Sequence, residues 1–236
     1  MYKGILLTIG NTPLVELNRF LARKRFRLFA KMEGFNPGGS IKDRAAYSML
    51  HHALNTGVIR EGTTIIESSS GNMGIGLAQA CMYLRLPFIC VVDARTTAQN
   101  IAILKAYGAQ VKVVTEPDPV TGDLLQARLQ YVHHLLQTIP GSWWANQYAN
   151  EYNARAHQQT MDEINRALDG EVDYLFCAVS TCGTLRGCSE YIRGQKLVTK
   201  IVAVDAVGSV IFGERQRSVY FPVMERVVFL NSISRD

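Results

Sequence analysis

The chain runs to 236 residues, 47% of them hydrophobic and 19% charged, the proportions of an ordinary globular protein with length for one large domain or two small ones. Its net charge of +5 is modest and, apart from "LARKRFR" (Leu21 to Arg27), dispersed, which speaks against nucleic acid as a partner. No run approaches the roughly eighteen apolar residues of a membrane span, and the apolar start of "MYKGILLTIGNTPLVEL" is broken by Gly, Asn and Pro with no cleavage pattern, so a cytoplasmic protein without membrane contact is expected.

In chain order, "RLFAKME" reads as the first buried strand. It leads into "FNPGGSIKDRAA" (Phe35 to Ala46), where Pro37, Gly38 and Gly39 make a turn. Ser40 is a good N-cap there, and the residues from Ile41 onward read as a helix. Lys42 then falls in a first helical turn, against the positive end of the dipole, where a carboxylate is preferred. The mismatch costs about a few tenths of a kcal/mol. That is compatible with a solvated charge as well as with an amine held for chemistry.

Strands "TTIIES", "FICVVDA" and "QVKVVT" follow, alternating with the helical patterns "GNMGIGLAQACMYLR" and "QNIAILKAYGA". "LLQARLQYVHHLLQTI" is a further helix, and "YLFCAVS" and "KIVAVDA" are two more strands. Strand–helix alternation predicts an α/β fold of two lobes, each with a mostly parallel twisted sheet flanked by helices. The expected smaller lobe covers residues 34–140; the larger combines 1–33 with 141–236.

Three places share one shape, a β-run, a small-residue loop and a helix: "NPGGSIKD", "ESSSGNMGIG" (Glu67 to Gly76) and "VSTCGTLRG" (Val179 to Gly187). Each presents backbone N–H groups and hydroxyls at a helix N-terminus, which favours an anion. One such loop is usually only a turn. Three point to several anionic groups bound at strand carboxyl ends. None has the ending of a nucleotide P-loop or the dinucleotide glycine spacing, so ATP and NAD are disfavoured. Cys81, Cys90, Cys177, Cys182 and Cys188 lack a metal-ligand spacing, and His51, His52, His133 and His134 have no Cys or carboxylate at ligand spacing; no metal is expected. A lysine beside anion-binding loops instead raises pyridoxal phosphate, whose aldehyde an amine holds as a Schiff base while a helix terminus holds its phosphate.

"IGNTPLVEL" (Ile9 to Leu17), "NPGGSIKDRAA", "SSSGNMG" and "STCGT" occur in the order seen in the cysteine synthase and cystathionine β-synthase family of fold-type II pyridoxal-phosphate enzymes, which the chain resembles from about Leu7 to about Gly213. The resemblance implies that Lys42 carries the cofactor and that Asn72 bonds its ring hydroxyl. It makes Ser180, Thr181, Cys182, Gly183 and Thr184 the phosphate cup. Ser68, Ser69, Ser70, Gly71 and Asn72 resemble the loop that grips the substrate α-carboxylate, and Gln147 matches a glutamine near it. Relatives pair as dimers, so a homodimer is expected.

"ESSSGNMGIGLAQ", "FICVVDARTTAQNIAILKAYGAQV", "WWANQYANEYN" and "AVDAVGSVIFG" resemble one branch of that family, the staphyloferrin B-type synthases of N-(2-amino-2-carboxyethyl)-L-glutamate. The branch implies a siderophore-pathway transferase that replaces the phosphate of O-phospho-L-serine with L-glutamate, toward 2,3-diaminopropionate. Lys42 would remove the α-proton and later return a proton. Both substrates are strongly anionic, so extra cationic donors are expected to mark the branch. Arg128 and Arg186 are the candidates, with Tyr148 and Ser180 as hydroxyl donors; exposed helix arginines would be the bland alternative. A cysteine synthase-type sulfhydrylase, or a non-catalytic paralogue retained as a binding partner, are the other readings. Relatives continue beyond "GSVIFGERQR" into a Gly/Ser-rich segment that meets the pyridine nitrogen, and "VYFPVMERVVFL" is expected to lack sheet partners in this chain, so a C-terminal part is expected to be missing.

Overall fold

Each of the six expected strand runs contains a strand. The structure, a computed structural model, describes residues 4–19, 25–206 and 209, together with the backbone of 226–229. Most of "LARKRFR" and the end of "AVDAVGSVIFG" lie outside the described residues. Met1–Asn153 and Ala154–Asp236 form two compact units.

The first unit opens with β1 (Leu14–Glu16) paired antiparallel to β2 (Phe29–Lys31), Val15 opposite Ala30. After a 3-10 turn at Glu33–Phe35 come α1 (Lys42–Asn55), β3 (Ile65–Ser68), α2 (Asn72–Leu84), β4 (Phe88–Asp93), α3 (Ala98–Ala106), β5 (Gln110–Val114), α4 (Leu124–Thr138) and β6 (Trp143–Trp144). α5 (Glu151–Ala167) begins at the end of this unit and from Ala154 onward belongs to the second. The four strands β5-β4-β3-β6 form one parallel sheet. Side chains of a strand alternate between faces, and two cores result. Ile65, Cys90 and Val92 pack with Met49 and Leu50 of α1 and Leu77 and Cys81 of α2, while Ile66, Ile89 and Val91 pack with Val132 and Leu135 of α4. Helices on both faces explain why β4 is apolar from Phe88 to Val92 and why every residue of β3 is buried. At the edge, β5 is partly exposed.

From β3 the chain steps outward through β4 to β5, then returns by α4 to place β6 on the other side of β3. That reversal is a topological switch point. Open α/β sheets bind ligands outside the carboxyl ends of the strands flanking it, here after Ser68 and after Trp144.

In the second unit, β7 (Tyr174–Ala178), α6 (Gly183–Gly194) and β8 (Lys200–Asp205) form a parallel strand–helix–strand unit. β9 (Arg226–Phe229) joins antiparallel to β8, Asp205 opposite Arg226. This corrects the expectation that "VYFPVMERVVFL" lacks sheet partners, since part of it is paired. α6 lies so close to α5 that a methyl added at Gly187 would stand 2.0 Å from the Ala154 carbonyl oxygen.

A further difference from the sequence reading has a physical cause. "NPGGSIKD" is preceded by the 3-10 turn rather than directly by a strand, because Asn36 turns back and donates through Nδ2 to the Glu33 carbonyl at 2.8 Å. The N-terminal segment is bonded to α1: Arg44 donates to both oxygens of Glu33 at 2.7 and 2.9 Å, and the Thr12 hydroxyl donates to Glu33 at 2.7 Å. Among the described residues no helix is long and apolar enough to cross a membrane.

Candidate active site

Lys42 is the first residue of α1, its N–H accepted by Ser40 Oγ at 3.1 Å. Half-buried, it is held from both sides of the sequence. Upstream, the Glu33–Arg44 pair and Asn36, whose Oδ1 accepts the Gly10 N–H at 2.9 Å, fix the turn. Burial pulls the Glu33 pKa up, but bonds from Arg44, Thr12 and Asn36 hold it below the ordinary carboxylate value. Next to Lys42, buried Asp43 accepts the Gly38 N–H at 2.5 Å and closes the Pro37–Ser40 turn. Burial raises the Asp43 pKa to about 6, and the nearby Glu33 charge adds to it. Below, α2 approaches closely: a Cβ at Gly76 would lie 3.2 Å from Ala46 Cβ and 3.3 Å from the Lys42 carbonyl oxygen. The start of α1 therefore sits against the first turns of α2, which carries the second small-residue loop.

That loop is built on buried hydroxyls. Ser69 Oγ accepts the Gly74 N–H at 3.0 Å and so caps α2. Ser68 Oγ is buried without a hydrogen-bond partner. Ser70 contributes its carbonyl to Asn100 Nδ2 at 2.9 Å, and a Cβ at Gly71 would meet nothing within 4 Å. Asn72, the first residue of α2, is exposed. Gln147 is buried and donates through Nε2 to the Ser68 carbonyl at 3.1 Å, bringing the loop after β6 against the loop after β3.

The sequence reading did not single out Glu67, which joins these pieces. It is fully buried and accepts from the N–H groups of Ser68 at 2.8 Å and Gln147 at 3.1 Å and from the Trp144 indole at 3.3 Å. Burial nonetheless raises its pKa to about 7 against those donors and the Arg128 charge. A carboxylate directly after the buried Ile65–Ile66 pair was the available signal. Arg128 is not the exposed helix arginine of the bland alternative: it is buried, 3.3 Å from Asp93, and no acceptor meets its Nε in hydrogen-bond geometry. Tyr148 is half-exposed and feels both Arg128 and Glu67; desolvation raises its pKa.

Asp43 and Glu67 give the protein a pH signature. Both have folded-state pKa values above the unfolded 3.8 and 4.5. Each therefore contributes stability that is complete below the unfolded value and lost as pH rises through about 6 and about 7 respectively. Urea unfolding at stepped pH is expected to show stability declining between about pH 4.5 and 7, with a shallower decline in Glu67→Gln. A stability that climbs across this window would contradict it.

In the second unit, the loop between β7 and α6 carries the predicted cup. Cys182 sits at φ 59°, in the left-handed region, at the N-cap of α6, and makes no side-chain cap. Gly183 and Thr184 begin the helix, Ser180 is exposed, and Thr181 Oγ1 is buried without a partner. An uncapped helix N-terminus beside an orphaned buried hydroxyl is a donor set suited to a phosphate group, so the residues present fit pyridoxal phosphate. His157 on α5, fully buried, reaches Thr184 Oγ1 through Nε2 at 3.4 Å. Sequence reasoning missed it because its partner lies on another element. Arg186 is exposed and ion-paired to Glu190 at 2.8 Å, one turn along α6. Among the described residues no group of three or more His, Cys, Asp or Glu gathers as metal ligands.

The fold, with parallel sheets flanked by helices, is that of the fold-type II enzymes. A model of the family described as pyridoxal-phosphate dependent enzyme matches residues 5–228, and the chain belongs to that family, whose cofactor is pyridoxal phosphate. Among solved structures, a hydrogen sulfide-producing enzyme from Fusobacterium nucleatum matches with a TM-score of 0.83 and 30% identity, over 91% of this chain and 68% of that one. O-ureido-L-serine synthase gives 0.82 and 28%, over 94% and 68%. A cysteine synthase from Entamoeba histolytica gives 0.82 and 33%, over 92% and 64%. The chain thus spans about two thirds of the length of these cysteine synthase-like structures.

Proposed function

We propose that the protein catalyses β-replacement on O-phospho-L-serine, with L-glutamate as the incoming amine, giving N-(2-amino-2-carboxyethyl)-L-glutamate and phosphate for siderophore or 2,3-diaminopropionate biosynthesis. It would act as a cytoplasmic homodimer whose smaller lobe is residues 34–140 and whose larger lobe combines 1–33 with 141–236. Bound pyridoxal phosphate supplies the electron sink that makes the Cα–H bond acidic and lets the β-substituent leave. Lys42 holds the cofactor, takes the Cα proton on Nζ and returns a proton once the new bond to Cβ has formed. Thr181 and the first-turn N–H groups of α6, with Ser180, Cys182, Gly183 and Thr184, hold the cofactor phosphate. The Ser68 hydroxyl, buried without a partner, and the loop of Ser69, Ser70 and Gly71 that follows it would hold the substrate α-carboxylate, with Gln147 bracing that loop and Asn72 orienting the cofactor ring.

The observation that supports the choice of anionic substrates is Arg128, a buried guanidinium near the switch point and Tyr148 whose Nε lies 3.3 Å from Asp93 without hydrogen-bond geometry. Arg186 already has Glu190 as a partner and is the weaker candidate for a second anion ligand.

A sulfhydrylase reading rests on the cysteine synthase and hydrogen sulfide-producing enzyme among the similar structures. One assay separates the two: phosphate release from O-phospho-L-serine with glutamate, against acetylserine with sulfide. The first pair is expected to turn over faster by at least about tenfold, the effect of one charge-assisted hydrogen bond of about 1.5 kcal/mol. Faster turnover of acetylserine with sulfide would return the protein to the sulfhydrylases.

A further inference from the structure

We propose that Glu67 is a positioning residue that fastens the loop after β3 to the loop after β6 across the switch point of the sheet, fixing the two segments that grip substrate. The inference rests on the roles given above to Ser68–Gly71 and Gln147. Its basis is where the strand ladder stops. β3 and β6 pair only through Ile65↔Trp143 and Ile66↔Trp144, and the last backbone bond runs from the Ala145 N–H to the Ile66 carbonyl at 3.1 Å. Beyond that bond, strands at a switch point diverge. The Glu67 side chain takes over at this step. Oε1 accepts from Ser68 N–H and from the Trp144 indole, and Oε2 accepts from Gln147 N–H. Gln147 in turn donates to the Ser68 carbonyl, and Asn153 Nδ2 donates to the Gln147 carbonyl at 2.7 Å. One carboxylate thus accepts three donors, from the end of β3, from β6 and from the loop that follows β6.

All three donors favour the ionised form, and protonation would turn one acceptor into a donor facing an N–H or the indole. The charged and titratable groups facing Glu67 are Arg128 of α4, itself beside Asp93 of β4, together with Cys90 of β4 and Tyr148 after β6. Its pKa of about 7 lets the fastening loosen on mild acidification.

The first test is amide hydrogen exchange on the holoenzyme. In Glu67→Gln the Ser68 and Gln147 amides are expected to lose protection together, by about tenfold or more, while the β4 amides keep theirs. Unchanged protection at both would overturn the proposal. In a binding titration followed by cofactor absorbance, the amino-acid donor should bind about tenfold more weakly to Glu67→Gln at full cofactor loading, and its pH dependence should lose the inflection near 7. Unaltered donor affinity and pH profile would also overturn it.

If Glu67→Gln does not fold, Trp144→Phe decides. Losing the indole donor raises the carboxyl pKa, so the inflection should move to higher pH; a stationary inflection counts against the fastening. Lost amide protection in a variant whose wild-type parent binds no amino acid would retain the fastening and sink the proposed function instead.

Discussion

Lys42→Ala is expected to lose at least about a thousandfold in turnover, because one residue is assigned both the covalent hold on the cofactor and the proton transfers, and general acid–base catalysis alone contributes about 10²–10⁴. Stability should move the other way or hardly at all. An ammonium in the first turn of α1 opposes the helix dipole by about a few tenths of a kcal/mol, so removing it should leave the urea midpoint unchanged or slightly raised. The pairing of a large catalytic loss with no loss of stability separates a group held for chemistry from a structural lysine. Reduction of the wild-type holoenzyme with borohydride, followed by digestion, should leave the pyridoxyl group on the Lys42 peptide. Finding it on another lysine would end the assignment.

Gly187→Ala is expected to lower stability by about 2 kcal/mol or more, although alanine is the better helix former by about 1 kcal/mol. The two effects have opposite signs, and geometry decides between them. The added methyl would stand 2.0 Å from the Ala154 carbonyl oxygen and 2.8 Å from His157 Cβ. A carbonyl in a neighbouring helix has no rotamer by which to move aside, so α6 itself must shift, and with it Thr184 and its contact to His157. The urea midpoint should drop by roughly 1 M, accompanied by weaker cofactor binding. A raised midpoint would mean that helix propensity outweighs the close packing of α5 and α6.

The parts of the fold legible in the sequence are those whose signal is local. β4 is buried on both faces and reads as an apolar run from Phe88 to Val92, and Ser40 was expected as the N-cap of α1, where the structure has Ile41 as the cap residue while Ser40 Oγ accepts the Lys42 N–H. β6 was not legible because two residues carry no periodicity, and its pairing with β3 depends on the return of the chain over α4. The same reason hid the environment of the candidate site. Arg128 looks like one more cation on an amphipathic helix until Asp93, from another strand, lies beside it. Glu67 looks like a strand-end charge until Gln147 and Trp144 arrive from a distant segment to bond it. Sequence motifs supplied the groups proposed to touch substrate and cofactor; the groups that hold them in place are defined by long-range contacts.

The five cysteines form no disulfide, and four of them are buried. Burial drives the Cys81 thiol far up and the Cys90 thiol to about 12, which removes the thiolate on which alkylation depends. Hydrogen bonding to Cys188 lowers the Cys177 pKa, but that pair lies in the interior of the second unit, with Cys177 only 6% exposed. Cys182 alone is half-buried, and it occupies the left-handed position at the mouth of the cup. Under the phosphate-holding role proposed for this loop, modification at this one sulfur is expected to slow when the loop is filled, and so to report occupancy without any engineered label.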